Sequence, residues 1–138
     1  MTQKKPPVEL DMSWKGDLRF EARDDQGLSQ ALDGDNQSGF APMKALLSSL
    51  CGCMAIDVVL ILKKMRLQLD SLDISARGER NDSEPRYFKR IQLMFRFQGK
   101  VPPEKAQRAV QLSFDKYCSV FHTLRQDIEV SHDISVES

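Results

Sequence analysis

The sequence predicts a single α+β domain over residues 1–138. Two stretches with helical periodicity are separated and flanked by stretches in which apolar residues occupy every second position, the period of a half-buried strand. The resulting order is strands, long helix, strands, helix, strand. Strands grouped apart from helices in this way are typical of α+β domains. A chain of 138 residues is long enough to bury one core.

Short strands are predicted for the first forty residues. Apolar and polar residues alternate from Val8 to Trp14 and again from Leu18 to Ala22. The Lys15-Gly16-Asp17 turn between these two runs predicts a hairpin. A short third strand is expected from Leu28 to Leu32.

A long helix is predicted to begin at Pro42, because proline suits the first helical turn, and to continue to about Leu69. It is apolar nearly all round as far as Leu62, which predicts burial on most sides. The segment from Ala45 to Leu62 has about the minimum length of a membrane span. However, Asp57 in its middle costs about 3 kcal/mol on insertion, so a buried core helix is expected.

The second half of the chain predicts a hairpin, a helix and a last strand. The apolar alternation around Leu72–Ala76 and Ile91–Phe97 predicts two antiparallel strands. A second helix opens at Val101-Pro102-Pro103-Glu104, and Ser119 is expected to cap a new short helix. Alternation from Ile128 to Val136 predicts the last strand. The expected apolar face of the second helix consists of Ala106, Val110, Phe114, Tyr117 and Phe121.

The composition excludes some classes of function. Lys plus Arg and Asp plus Glu both number 20, so the net charge of +0 argues against a nucleic-acid surface and a polybasic membrane patch. The N-terminal stretch lacks the apolar region of a secretory signal, so a cytoplasmic protein is expected. Three cysteines are too few for a secreted disulfide scaffold. In a reducing compartment each is either a small packed residue or a reactive thiol.

The cysteines differ in what their positions allow. Cys51 and Cys53 lie about 200° apart around a helix, so they cannot chelate one metal together, and no metal site or cofactor is predicted. Cys53 and Asp57 are four residues apart and share a face. If the helices pack together, Cys53 and Cys118 could approach within disulfide range. Cysteines that only pack remain an alternative, and His132 is expected to be a core histidine and His122 a surface one.

The stretch APMKALLSSLCGCMAIDVVLILKKM resembles the central helix of the OsmC/Ohr family, the osmotically inducible and organic hydroperoxide resistance proteins. KYCSVFHTL, at Lys116 to Leu124, is similar to the family's second cysteine motif, which precedes a short helix and the last strand. Cys53 matches the first family cysteine better than Cys51. The resemblance covers nearly the whole chain and follows the AIDVV type of member, a less characterised branch.

This resemblance implies a thiol peroxidase used in oxidative stress defence. The expected fold is an intertwined homodimer with antiparallel sheets, a long buried central helix and a second helix. Cys53 would be the peroxidatic cysteine, which attacks an organic hydroperoxide and becomes a sulfenic acid, and Cys118 would resolve it as a disulfide. A dithiol reductant, lipoyl-linked in better-known members, would reset the enzyme. No nucleic-acid or membrane partner is expected.

The chain departs from the family pattern at the position after the helix-opening proline. The peroxidases carry a glutamate there, which holds a catalytic arginine over the thiolate, whereas this chain has Met43. Arg19 and Lys15, in the N-terminal strands, are the candidates for a substitute cation. The alternative function is a non-catalytic dimer of the same fold that binds an apolar small molecule or senses redox state.

Overall fold

The computed structural model describes residues 4–138. Residues 1–3, which belong to the stretch in which no signal is predicted, lie outside the described residues. The chain divides into two compact units, Met1–Leu46 and Leu47–Ser138. The α+β class is confirmed, with one three-stranded sheet in each unit. One domain over residues 1–138 stays a prediction.

The first unit contains the predicted strands β1 (Asp11–Trp14), β2 (Arg19–Arg23) and β3 (Ser29–Asp33). They form an antiparallel sheet in the order β1-β2-β3, and the predicted hairpin joins β1 to β2. The first strand begins at Asp11 rather than at Val8. The apolar side chains expected to be half-buried here are instead exposed: Val8, Leu10, Met12, Trp14, Leu18 and Phe20.

The long helix α1 extends over Pro42–Lys64 and ends earlier than the predicted Leu69. Arg66 adopts a left-handed conformation, with φ 59°. The N–H of Arg66 donates to the Lys63 carbonyl, and the N–H of Leu67 donates to the Leu62 carbonyl. These two bonds form a Schellman motif, which satisfies the last carbonyls of the helix and turns the chain into the next strand. The sequence does not predict this helix end, because glycine usually occupies the left-handed position and this chain has Arg66 there.

One face of α1 is buried and the opposite face is not. Leu50, Met54, Val58 and Leu62 recur every four residues and are 0–1% exposed. A second row with the same spacing is exposed, and Ile56 and Leu60 in it are 62% and 55% exposed. The prediction that α1 is buried on most sides is therefore wrong for the single chain. The exposed row consists of Ser48, Gly52, Ile56 and Leu60.

The sheet of the second unit supplies the two largest fully buried side chains, Phe95 and Phe97. It contains β4 (Gln68–Arg80), β5 (Phe88–Lys100) and β6 (Glu129–Glu137), in the order β4-β5-β6. The β4–β5 pair is the predicted antiparallel hairpin, and β6 runs parallel to β5. The central strand β5 buries the residues that the alternation selected, namely Ile91, Leu93, Phe95 and Phe97.

The second predicted helix consists of an α-helix, a π-helical turn and a short second α-helix. Helix α2 covers Pro103–Leu112, a π-helical turn covers Ser113–Tyr117, and α3 covers Ser119–Thr123. The N–H of Cys118 donates to the Ser113 carbonyl at 2.8 Å, the i to i−5 bond of a π turn. The extra residue rotates the helical face, so Tyr117 is 47% exposed and not part of the predicted buried face.

The short helix α3 begins where the sequence suggested, but with a different cap. Ser119 was expected to cap it, whereas Cys118 is the N-cap residue and its sulfur accepts the N–H of Phe121 at 3.3 Å. The π-helical turn and the cap of α3 follow each other directly. Cys118 is therefore the single residue between the π-helical turn and α3.

Among the described residues, α1 is the one helix long and apolar enough to cross a membrane by length and composition. Such a helix is weak evidence of a span, because the core helix of a soluble protein passes the same test. Its fully buried row and the carboxylate of Asp57 in its middle fit a core helix better.

Candidate functional site

Three side chains from distant parts of the sequence form a cluster in the second unit. The sulfur atoms of Cys53 and Cys118 and a carboxylate oxygen of Asp57 all lie within 4.8 Å of one another. Cys53 and Asp57 share a face of α1, as their spacing predicts. The junction between the π-helical turn and α3 supplies Cys118. From the sequence, Cys53 and Cys118 are expected to lie close together only if the two helices pack against each other. The structure has these two sulfur atoms close together.

Ser113 holds the carboxylate of this cluster in place. Its hydroxyl donates a hydrogen bond of 2.8 Å to Oδ2 of Asp57, and the serine is completely buried. A buried hydroxyl needs such a partner, because an unsatisfied polar group in the interior is costly. Sequence reasoning missed Ser113, since it lies next to the predicted apolar face of the second helix. The available signal was a serine inside that helix, where serine is not favoured.

Cys118 lies in surroundings that keep it protonated. Its side chain is completely buried, and burial is the main cause that raises its pKa to about 12. The hydrogen bond with Cys53 and the negative charges of Cys53 and Asp57 raise the pKa further. The N–H of Phe121 acts in the opposite direction, because it stabilises the thiolate. Cys118 is therefore a thiol at neutral pH.

Cys53 and Cys51 are both half-buried, but they have different neighbours. Cys53 belongs to the three-residue cluster, and Cys51 does not. Burial raises the pKa of the Cys51 thiol. The expectation that the two adjacent cysteines face different surroundings agrees with this arrangement.

The two histidines of the chain lie outside the cluster and have structural partners. Nε2 of His122 donates to the Phe114 carbonyl at 2.8 Å, which ties α3 to the π-helical turn. The ring of His132 lies 5.0 Å from that of Phe114, between centroids, and its Nε2 is 3.1 Å from Nε2 of Gln107. Burial lowers the pKa of His132. His122 lies at the surface as expected, whereas His132 is half-buried and not a fully buried core residue.

The residues proposed to activate the thiolate all lie in the first unit. Arg19 is in β2, and its Nη2 donates to the Lys15 carbonyl at 2.9 Å. Lys15 follows β1, and Met43 is in the first turn of α1. Because Cys53 and Cys118 belong to the second unit, an activating role of Arg19 or Lys15 stays a prediction.

A cleft of about 620 Å³ reaches the cluster at Asp57. Its walls are mostly aliphatic and aromatic, with three basic side chains around them. Such a cleft fits the apolar part of an organic molecule, whereas a small polar one gains little from it. The lining residues are Asp57, Leu60, Ile61, Lys63, Lys64, Met65, Arg108, Leu112 and Tyr117.

Comparison with known proteins identifies the family. Residues 34–133 match the family model described as OsmC-like protein. The chain belongs to the OsmC-like family. It is 34% identical over 127 residues to protein YhfA of Escherichia coli strain K12, with 91% of this chain and 95% of YhfA covered. The match includes the segments that carry the cluster.

Solved structures of other proteins share the fold of this chain. A hypothetical protein from Aquifex aeolicus VF5 has a TM-score of 0.84 at 26% identity, over 97% of this chain and 100% of that one. An organic hydroperoxide resistance protein from Elizabethkingia anophelis has a TM-score of 0.70 at 18% identity, over 97% of this chain and 100% of that one. At 18% identity the second likeness concerns the fold alone. The family resemblance seen in the sequence is thereby confirmed.

The environments of the thiols predict unequal alkylation. In metal-free buffer at about pH 8, iodoacetamide should label Cys53 at least about tenfold faster than Cys118, because only thiolates react and Cys118 is buried with a raised pKa. Raising the pH toward 12 should accelerate labelling of Cys118, since its thiolate fraction increases. Peptide mass spectrometry measures both rates. In urea all three cysteines should react alike, and equal rates in the folded protein would contradict the assignment.

Proposed function

We propose that the chain is a thiol peroxidase that reduces organic hydroperoxides through a cycle of sulfenic acid and disulfide. The observation that carries this proposal is the pair of sulfur atoms within 4.8 Å of each other, one half-buried and one completely buried. A peroxide can approach the sulfur of Cys53, which is half-buried. The sulfur of Cys118 is then close enough to react with the sulfenic acid that forms on Cys53. Membership of the OsmC-like family supports this function, and oxidative stress defence in the cytoplasm is its proposed setting.

The first step belongs to Cys53. Its thiolate attacks the terminal oxygen of the hydroperoxide, the O–O bond breaks, and the sulfur is oxidised by two electrons to a sulfenic acid. The alkoxide that leaves takes a proton from solvent water and departs as the alcohol. Cys118 is poorly suited to this step because burial limits access to it and its raised pKa keeps it a thiol.

The second step joins the two cysteines. The sulfur of Cys118 attacks the sulfur of the Cys53 sulfenic acid, and the hydroxyl group must leave as water. Asp57 lies within 4.8 Å of both sulfur atoms, so its carboxylate can accept the Cys118 proton and give it to the leaving hydroxyl. The Ser113 hydrogen bond fixes the carboxylate for this transfer. A dithiol reductant, such as a lipoylated protein, then returns the disulfide to two thiols.

The surroundings of the cluster favour an organic substrate. The cleft of about 620 Å³ that includes Asp57 offers apolar walls to the alkyl part of a hydroperoxide. Hydrogen peroxide has no apolar part to bury there, so it should be the poorer substrate. The same cleft would also serve the alternative function, a non-catalytic protein that binds an apolar molecule.

The exposed row of α1 supports a homodimer. Ile56 and Leu60 present large aliphatic surfaces to solvent, while Ser48 and Gly52 of the same row allow close approach of another segment. A contiguous exposed apolar surface of this kind is typical of an interface. Asp57 and Cys53 lie next to this row on the helix, so a partner subunit docked on it would enclose the cluster and exclude water.

Treatment of the reduced protein with one equivalent of cumene hydroperoxide should rapidly remove two hydrogens from its mass. Peptide mapping should place the new bond between Cys53 and Cys118, because these sulfur atoms are already close together. The reaction should be slower with hydrogen peroxide. Cys53→Ser should abolish it, and Cys118→Ser should stop it at the sulfenic acid, which dimedone traps.

Cys51→Ser is the matched control for this experiment. It removes a half-buried thiol from the same helix but leaves the cluster intact, so the rate should stay within about twofold of the wild-type value. Slow oxidation shared by all three cysteines would refute the peroxidase. An inert Cys53 would instead favour the protein that binds an apolar molecule.

Asp57→Asn should slow disulfide formation about a hundredfold, because an amide cannot accept the Cys118 proton. Formation of the sulfenic acid should be much less affected, so this intermediate should accumulate and react with dimedone. Stopped-flow fluorescence and quenched mass spectrometry separate the two steps. An equal loss in both steps would indicate that Asp57 only supports the structure, since asparagine can still accept the Ser113 hydrogen bond.

Replacing an aliphatic residue of the exposed row by a charge should dissociate the proposed dimer. Ile56→Glu and Leu60→Glu each place a carboxylate where an apolar contact is expected, and a buried unpaired charge is costly. Sedimentation equilibrium should show a dimer for the wild type and for Lys105→Glu, which changes an exposed residue of α2. A monomeric wild type, or dimers of all the variants, would exclude this interface.

A further inference from the structure

We propose that Cys53, Asp57 and Cys118 together form a zinc-binding site when both cysteines are reduced. Zinc would be held by two thiolate sulfurs and one carboxylate oxygen, with the fourth position left to water. This inference goes beyond the peroxidase and does not depend on it. It also uses a different pair of cysteines from the adjacent Cys51 and Cys53, whose spacing excludes a shared metal.

The geometry of the cluster suits a tetrahedral ion. The three donor atoms all lie within 4.8 Å of one another, so an ion at their centre reaches each of them with small side-chain rotations. Zinc prefers bonds of about 2.3 Å to sulfur and about 2.0–2.2 Å to carboxylate oxygen. Three protein ligands with one open position are typical of catalytic zinc sites, whereas structural zinc sites usually have four protein ligands.

Two hydrogen bonds orient the donors in the way that metal ligands are usually oriented. The N–H of Phe121 donates to the sulfur of Cys118 at 3.3 Å, and such a bond stabilises a thiolate. The hydroxyl of Ser113 donates to Asp57 at 2.8 Å and fixes the carboxylate. Partners of this kind tune metal affinity, and their loss usually weakens binding by 10–100-fold.

The charges of the cluster point to a cation. Three groups that carry negative charge when ionised converge in a partly buried region. A divalent cation at the centre of these groups compensates their negative charges, and a thiol that binds it releases its proton. Mixed sulfur and oxygen ligands select zinc over magnesium and calcium, which prefer oxygen alone.

Zinc binding should be measured on the reduced, metal-free protein under anaerobic conditions. Competition with a chromophoric chelator should give one zinc per chain with Kd below about 1 µM, and magnesium should not compete. Cobalt should produce the near-ultraviolet charge-transfer band of a thiolate-bound ion. Cys53→Ser and Cys118→Ser should each weaken binding at least about a hundredfold, and Asp57→Asn and Ser113→Ala about tenfold.

Cys51→Ser is again the control and should bind zinc like the wild type, with circular dichroism confirming that every variant is folded. Zinc should also protect Cys53 and Cys118, but not Cys51, from alkylation. Binding that is weaker than about 100 µM, or that is lost in Cys51→Ser, would refute the site. The zinc measurement contains no peroxide, so it tests the zinc site independently of the peroxidase. A protein without peroxidase activity could still bind zinc, and a protein that does not bind zinc could still be a peroxidase.

Discussion

The hydrogen bond between Ser113 and Asp57 is the interaction on which the arrangement of the site depends. It joins α1 to the π-helical turn across 56 positions of sequence and gives the completely buried hydroxyl of Ser113 a partner, without which its burial would be costly. The π turn begins at Ser113 and ends directly before Cys118, so it sets where the second thiol lies relative to this bond. Without this turn, a regular α-helix would rotate Cys118 by about 100°. The position of the second thiol is therefore a consequence of helix geometry.

Burial makes two chemically identical side chains different, one an enclosed thiol and the other a half-buried one. Cys118 is enclosed and retains its proton, while Cys53 is only half-buried. The protonation of Cys118 and the partial exposure of Cys53 are not general properties of cysteine, because each depends on the groups that surround the sulfur in the fold. This division also explains why Cys51, only two residues from Cys53, is a useful control: it has a similar exposure but no partner thiol.

The sequence predicts the parts of the site that depend on local periodicity. The common face of Cys53 and Asp57 follows from helical spacing, and the strands β4 and β5 follow from alternation. It does not predict features in which tertiary structure overrides a local preference. Arg66 ends α1 in a conformation that glycine prefers, and a cysteine caps α3 in place of the adjacent serine. Burial of α1 was predicted too broadly, because an apolar residue in a sequence does not reveal whether the same chain or another molecule covers it.

Asp57 shows why the chemistry cannot be copied unchanged from the peroxidases that the sequence resembles. Those proteins place a glutamate after the helix-opening proline to hold a cation over the thiolate, whereas this chain has Met43 there and a carboxylate beside both thiols. A negative charge at that distance opposes ionisation of a thiol, so Asp57 cannot activate Cys53 by its charge. It can accept a proton when Cys118 reacts, and it can complete a ligand set for a cation. Both proposed roles follow from the same physical property, which is the stabilisation that a fixed carboxylate gives to a nearby positive charge, whether a proton or a metal ion.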